Sequence, residues 1–169
     1  VTDEPQARPI LVFAYGNPSR GDDALGPAMY ELIEAQQQKA GLLNNVSLLT
    51  DFQLQIEHAT DLQHRQRVIF IDASLTASPP YEFHPVLPEQ DLSYTTHAMS
   101  PAAVLSVYQQ INRQPPPSAY MLSIRGYEFG LGKPLSGRAR SHLQAAFEFL
   151  MEGHVLNHEW LVEAWPSRS

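Results

Sequence analysis

Three residues, remote from one another in the chain, carry the chemistry this sequence can offer: Asp23, Asp72 and His97. Asp23 belongs to the stretch GNPSRGDDALG (residues 16–26), which follows the apolar run Ile10-Leu11-Val12-Phe13-Ala14. Asp72 closes the run VIFID, and His97 sits in TTHAMSP. Two carboxylates and one imidazole form an oxygen/nitrogen ligand set suited to a divalent transition metal, nickel and zinc among them, and three ligands leave positions open for a substrate. Plainer work is open to each residue. Asp22 or Asp23 can be the N-cap or first-turn acid of a helix, Asp72 an acceptor for loop N–H groups, and His97 a brace for the helix after it. The readings differ in geometry, because only a metal site needs the three to converge.

Convergence depends on the elements that carry them. Pro9 to Ala14, Val46 to Thr50, Arg67 to Asp72 and Ala119 to Ile124 read as strands; Tyr81 to Val86, flanked by prolines, reads as a shorter strand near an edge. The unbroken apolar character of Val68 to Ile71 is that of a strand covered on both faces. Helical spacing of apolar residues predicts helices over Ala24 to Lys39, Gln53 to Gln63, Pro101 to Arg113 and Ser136 to Met151, with Ser100 and Ser136 as caps. Gln114-Pro115-Pro116-Pro117 is a rigid connector. Alternation of this kind predicts a single α/β domain spanning residues 1–169. Its sheet would be mostly parallel and twisted, of about five strands with helices on both faces, and 1–8 and 152–169 would be peripheral tails. The working edge of such a sheet lies beyond the carboxyl ends of its strands. The loops after Ala14 and Ile71, and the one holding His97, should meet there.

Composition excludes several classes. The formal net charge of −7 disfavours nucleic acid as a partner, and suits a partner with a basic tail or one gripped through metal. The absence of cysteine excludes disulfides, thiolate metal sites and a cysteine nucleophile. No apolar run approaches the roughly 18 residues of a membrane helix, so no membrane partner is expected. The opening VTDEPQARP lacks the apolar core of a secretory signal, and a cytoplasmic location is expected. Gly16 to Gly21 is not GxGxxG, and Gly130-Leu131-Gly132-Lys133-Pro134 has Pro where a P-loop holds Ser or Thr. There is no GxSxG elbow, and His58, His64, His84, His142, His154 and His158 show no paired metal spacing.

Taken in order, GNPSRGDDALG, VIFIDAS, THAMSP and MLSIRGYEF resemble the hydrogenase maturation endopeptidases, over roughly Ile10 to Leu150. The resemblance implies an endopeptidase that removes the C-terminal extension of a nickel–iron hydrogenase large-subunit precursor after nickel insertion. It places the family's metal-contacting acids on Asp23 and Asp72 and its histidine on His97, as the catalytic and metal-contacting set. The nickel would be the precursor's own, with no resident organic cofactor. Many relatives carry Gly-Thr-x-Gly after the second strand, whereas this chain reads Asp51-Phe52-Gln53-Leu54-Gln55-Ile56-Glu57-His58. That wording resembles the branch serving bidirectional NAD(P)-linked hydrogenases. Gln53 and Glu57 there either face the site or serve as capping and surface residues. The rival from another class is a non-enzymatic assembly chaperone that recognises a metal or a partner's tail. A nucleotide-binding domain is disfavoured by the acids in the first loop.

Overall fold

The computed structural model describes residues 7–40, 43–90 and 99–157. Strands β1 (Ile10–Tyr15), β2 (Val46–Asp51), β3 (Arg67–Ser74), β4 (Tyr81–Val86) and β5 (Ser118–Arg125) form one sheet in the order β2-β1-β3-β5-β4. All neighbours are parallel except β4, which runs antiparallel along the edge beside β5. The single-domain α/β architecture with a mostly parallel five-stranded sheet is thus the expected one. Pro85 in β4 agrees with that edge position, since proline brings no N–H to a ladder.

Strand alternation divides the core in two. Ile10, Val12 and Ala14 point to one face with Ile69 and Ile71, and α1 (Leu25–Ala40) and α3 (Gly137–Glu152) cover them. Leu11, Phe13 and Tyr15 point to the other with Val68 and Phe70, beneath α2 (Pro101–Asn112) and a 3-10 helix at Ile56–Leu62. β1 and most of β3 are therefore apolar on both faces, and each fully buried Leu, Ile or Phe contributes about 1.5–3 kcal/mol by leaving water. The short helix predicted over Gln53 to Gln63 is a seven-residue 3-10 helix, Ile56–Leu62, with a thin apolar stripe: Leu54, Ala59 and Leu62 are buried while Ile56 is half exposed. Ser100 and Ser136 cap their helices, accepting from the N–H groups of Ala103 and Ala139.

Of the stretch expected to be a peripheral tail, 152–157 is described, and Val155 and Leu156 are buried in the core. The buried Arg67 guanidinium donates to the carbonyls of Val155 and Asn157 at 3.0 and 2.8 Å, tying this segment to the amino-terminal edge of the sheet.

At the other edge, α1 starts hard against β1. A Cβ on Gly26 would overlap the Tyr15 carbonyl. Glycine to alanine inside a helix usually stabilises by up to about 1 kcal/mol. Gly26→Ala should do the opposite and cost about 2–3 kcal/mol in urea unfolding, because backbone on backbone cannot relax.

Candidate active site

In the strand order β2-β1-β3, connections leave β1 and β3 toward opposite sides, which opens a crevice beyond their carboxyl ends. Asp23 and Asp72 lie on the two lips of that crevice. Asp23 comes from the β1–α1 connection, where the chain leaves Tyr15 through Gly16 at φ +146 and closes with a 3-10 turn at Gly21–Ala24. The turn brings the Asp23 backbone onto Gly16 so closely that a Cβ there would overlap its carbonyl. The Asp23 carboxylate accepts from the Asn17 N–H at 2.8 Å, and the Asn17 side chain in turn accepts from the Ser19 N–H at 2.9 Å. Asp23 is only partly buried and keeps lone pairs for a ligand.

Its neighbour has another task. Successive residues of a 3-10 turn point about 120° apart, so the two adjacent carboxylates diverge. Asp22 is fully buried. It accepts from the N–H groups of Tyr127 (2.7 Å), Glu128 (3.0 Å) and Ser136 (2.7 Å) and from the Ser136 hydroxyl (2.8 Å). Burial pushes its carboxyl up, but the bonds from Ser136, Glu128 and Tyr127 outweigh that and leave its pKa below the ordinary aspartate value. Asp22 therefore caps no helix. It ties the first loop to the loop after β5, and the backbone pairs Gly21 N–H to Lys133 carbonyl and Gly132 N–H to Ser19 carbonyl complete the join.

Asp72 extends the alternation of Val68 and Phe70, on the side of α2 and beside Tyr15. One of its oxygens accepts from the Ala73 N–H at 2.8 Å. Its pKa is pushed up to about 7, chiefly by burial; the Ala73 bond works against the rise, and the negative charge of Asp23 adds to it. Burial, and after it the Asp72 charge, likewise holds the Tyr15 hydroxyl well above its usual range. The structure thus brings Asp23 and Asp72 within electrostatic reach across the crevice. His97 lies outside the described residues; Met99, just after it, donates its N–H to the Leu54 carbonyl at 3.3 Å. Among the described residues no group of three His, Asp or Glu side chains is arranged to hold a metal.

Two carboxylates facing one another in partial burial are costly without a cation. Between about pH 4 and pH 7 the folded protein keeps the Asp72 proton that the unfolded chain has already lost, so stability falls as pH rises through that window. Asp72→Asn removes the effect. The variant should match the parent near pH 4 and exceed it at pH 8 by on the order of 4 kcal/mol. Thermal unfolding at the two pH values checks this; equal differences at both would contradict it.

An acid–imidazole pair not expected from the spacing of the histidines lies at the carboxyl end of β2. His58 Nδ1 accepts from the Gln55 N–H at 2.8 Å, which leaves Nε2 to donate to Asp51 at 3.2 Å. The ring stands edge-on to Phe13, with centroids 4.5 Å apart. Both ring nitrogens are engaged, so His58 clamps the β2 loop rather than offering a ligand. Gln55 and His58 form a reciprocal cap for the 3-10 helix, while Glu57 stays exposed. A cavity of about 460 Å³ lined by Gln63, His64, Arg65, Tyr108 and Asn112 lies at the opposite end of the sheet, where β3 and β5 begin.

No protein-family model matches the sequence, and no curated protein matches it. Solved structures do. A [NiFe] hydrogenase maturation protease, HycI, from Thermococcus kodakarensis KOD1 superposes with a TM-score of 0.65 at 19% identity, over 86% of this chain and 91% of that one. The hydrogenase maturating endopeptidase HybD from E. coli gives 0.66 at 22% identity over the same shares. A hydrogenase 2 maturation peptidase from Thaumarchaeota archaeon SCGC_AB-539-E09 gives 0.59 at 21%, over 87% of this chain and 98% of that one. The chain has the fold of these proteases. The likeness spans almost the whole of each relative.

Proposed function

We propose that this protein is an endopeptidase that removes the C-terminal extension from the nickel-loaded large-subunit precursor of a [NiFe] hydrogenase. The observation that carries the proposal is the Asp23–Asp72 pair at the crevice of a fold shared with maturation proteases. A loop that grips phosphate presents bare N–H groups; this loop presents a carboxylate, which suits a cation. The cation is the nickel that the precursor brings as part of the substrate. Asp23 and Asp72 supply oxygen ligands and His97 a nitrogen ligand to positions the precursor leaves open. Held so, the nickel fixes the scissile bond in register against the crevice, and hydrolysis gains from that positioning.

The surroundings suit a protein-sized substrate. Phe52, Leu75 and Leu131, on the loops after β2, β3 and β5, are 67%, 59% and 73% exposed. In this reading they are contacts for the protein substrate around the crevice. The loop carrying Phe52 and Gln53 is where the chain departs from the glycine-rich wording of many maturation proteases. We assign it to the branch serving bidirectional NAD(P)-linked hydrogenases on that wording. Among the described residues no helix is long and apolar enough to cross a membrane.

The test is mass spectrometry of a nickel-loaded precursor before and after incubation with the purified protein. Loss of the extension supports the proposal, and nickel-free precursor should stay intact. A complex that forms without shortening the precursor would favour the assembly-chaperone alternative. His97→Ala should leave the thermal transition unchanged and reduce processing by about a hundredfold or more; full processing by it would remove His97 from the site.

A further inference from the structure

The chain carries a net charge of −7, yet one face beside the crevice is basic. Between residues 125 and 140 stand Arg125, Lys133, Arg138 and Arg140 against a single acid, Glu128. Arg20 joins them from the first loop, because Ser19 and Gly21 are hydrogen-bonded to Gly132 and Lys133. Two of the guanidinium groups meet on one ring: Arg138 lies 3.9 Å and Arg125 5.0 Å from the Tyr127 ring centroid. Arg125 is held in place by the carbonyls of Ala77 (2.9 Å) and Gly126 (3.3 Å), and the Tyr127 hydroxyl by His142 Nε2 (2.8 Å). None of these cations is within 4 Å of a carboxylate among the described residues.

Arg138 sits in the first turn of α3, where the helix already concentrates positive charge. His142 feels it too: burial first, then the charges of Arg138 and Arg125, hold its imidazole below its ordinary pKa. Cations gathered around an aromatic ring with no carboxylate within 4 Å are a receptor for anions, and planar guanidinium groups match carboxylates in bidentate fashion. The face is also continuous with the crevice. Asp72 pairs in register with Ser123, and Ser74, two residues on, with Arg125. A polypeptide seated at Asp72 that continues across the end of β5 reaches Arg125 after about two or three residues.

We propose that Arg20, Arg125, Lys133 and Arg138 form a docking face for an acidic segment of the protein substrate, beside its scissile region. The breadth of the face, four cations on two loops, the end of β5 and the first turn of α3, fits several side-chain carboxylates rather than one terminal carboxylate. The inference rests on the proposed processing function and names the chemistry of the partner at that site.

Arg138→Glu and Arg138→Lys test it, with nickel-loaded precursor as the probe at low and moderate salt. Arg138 is exposed and glutamate is favourable in a first helical turn, so both variants should fold. Arg138→Glu should raise KM for processing about tenfold with kcat little changed, and Arg138→Lys should restore most of the affinity. Salt should weaken binding by the parent protein more than by Arg138→Glu. A parent protein that processes the precursor with the same KM and salt response as Arg138→Glu would overturn the docking face and leave the protease assignment standing. Loss of the charge effect when only the precursor's terminal carboxylate is blocked would overturn the assignment to acidic side chains. A parent protein that neither binds nor processes the precursor would overturn both.

Discussion

Replacing Asp22 with alanine should destabilise the protein by about 3–5 kcal/mol, the largest loss expected from any single polar substitution in the molecule. The carboxylate is fully buried and satisfies three backbone N–H groups and one hydroxyl. Alanine leaves all four donors without their acceptor. Asp22→Asn keeps one acceptor oxygen and should fall between the parent and Asp22→Ala. The acid limb gives an independent signature. The folded carboxyl lies below its ordinary pKa, so its contribution is fully present above about pH 4 and is lost as pH falls through the folded value. The stability difference between parent and Asp22→Ala should therefore shrink on acidification, and its sign is opposite to that of Asp72, whose ionisation destabilises the parent. Urea unfolding from pH 3 to pH 7 measures both. A loss under about 1 kcal/mol at pH 7 would show that the two loops are joined by something else. Because the same bonds fix the turn that carries Asp23, processing should fall even at temperatures where Asp22→Ala is folded.

Asp23→Asn is expected to do the reverse: leave stability within about 1 kcal/mol and reduce processing by about a hundredfold or more. The amide oxygen can still accept from the Asn17 N–H, so the loop keeps its shape. What is lost is the negative charge offered to the cation. The neutral side chain also removes the repulsion that adds to the rise of the Asp72 carboxyl, so the pKa of Asp72 should drop in the variant. Carbon-13 NMR of the aspartate carboxyls reads that shift without any substrate. Steady-state processing reads the loss of activity. An unmoved Asp72 would mean that the two carboxylates do not sense each other, and the crevice would lose its chemistry.

Much of this is legible in the residues. The apolar runs of β1 and β3 read as doubly covered strands, and the observed boundaries differ from the predicted ones by one or two residues. Proline marks β4 as an edge, and Ser100 and Ser136 mark two helix starts. Asp23 and Asp72 can be assigned to one edge because a parallel sheet sends every strand end the same way. The role of Asp22 cannot be read, because its partners are mostly backbone N–H groups, which any residue types supply, and they lie more than 100 positions away. The short helix at Ile56 is legible as a helix but not as a 3-10 one, since a single stripe of three buried residues fits α and 3-10 spacing alike. The basic face is hidden by an overall charge of opposite sign, and emerges only once the contacts of Ser19 and Gly21 with Gly132 and Lys133 put two loops side by side.

Nickel K-edge absorption of the loaded precursor, frozen with the protein before turnover, tests the central claim most directly. With the parent protein the nickel should gain oxygen and nitrogen scatterers that are missing from the precursor alone, and with Asp23→Asn or Asp72→Asn it should gain fewer. A nickel environment that is the same in all of these samples would contradict the account.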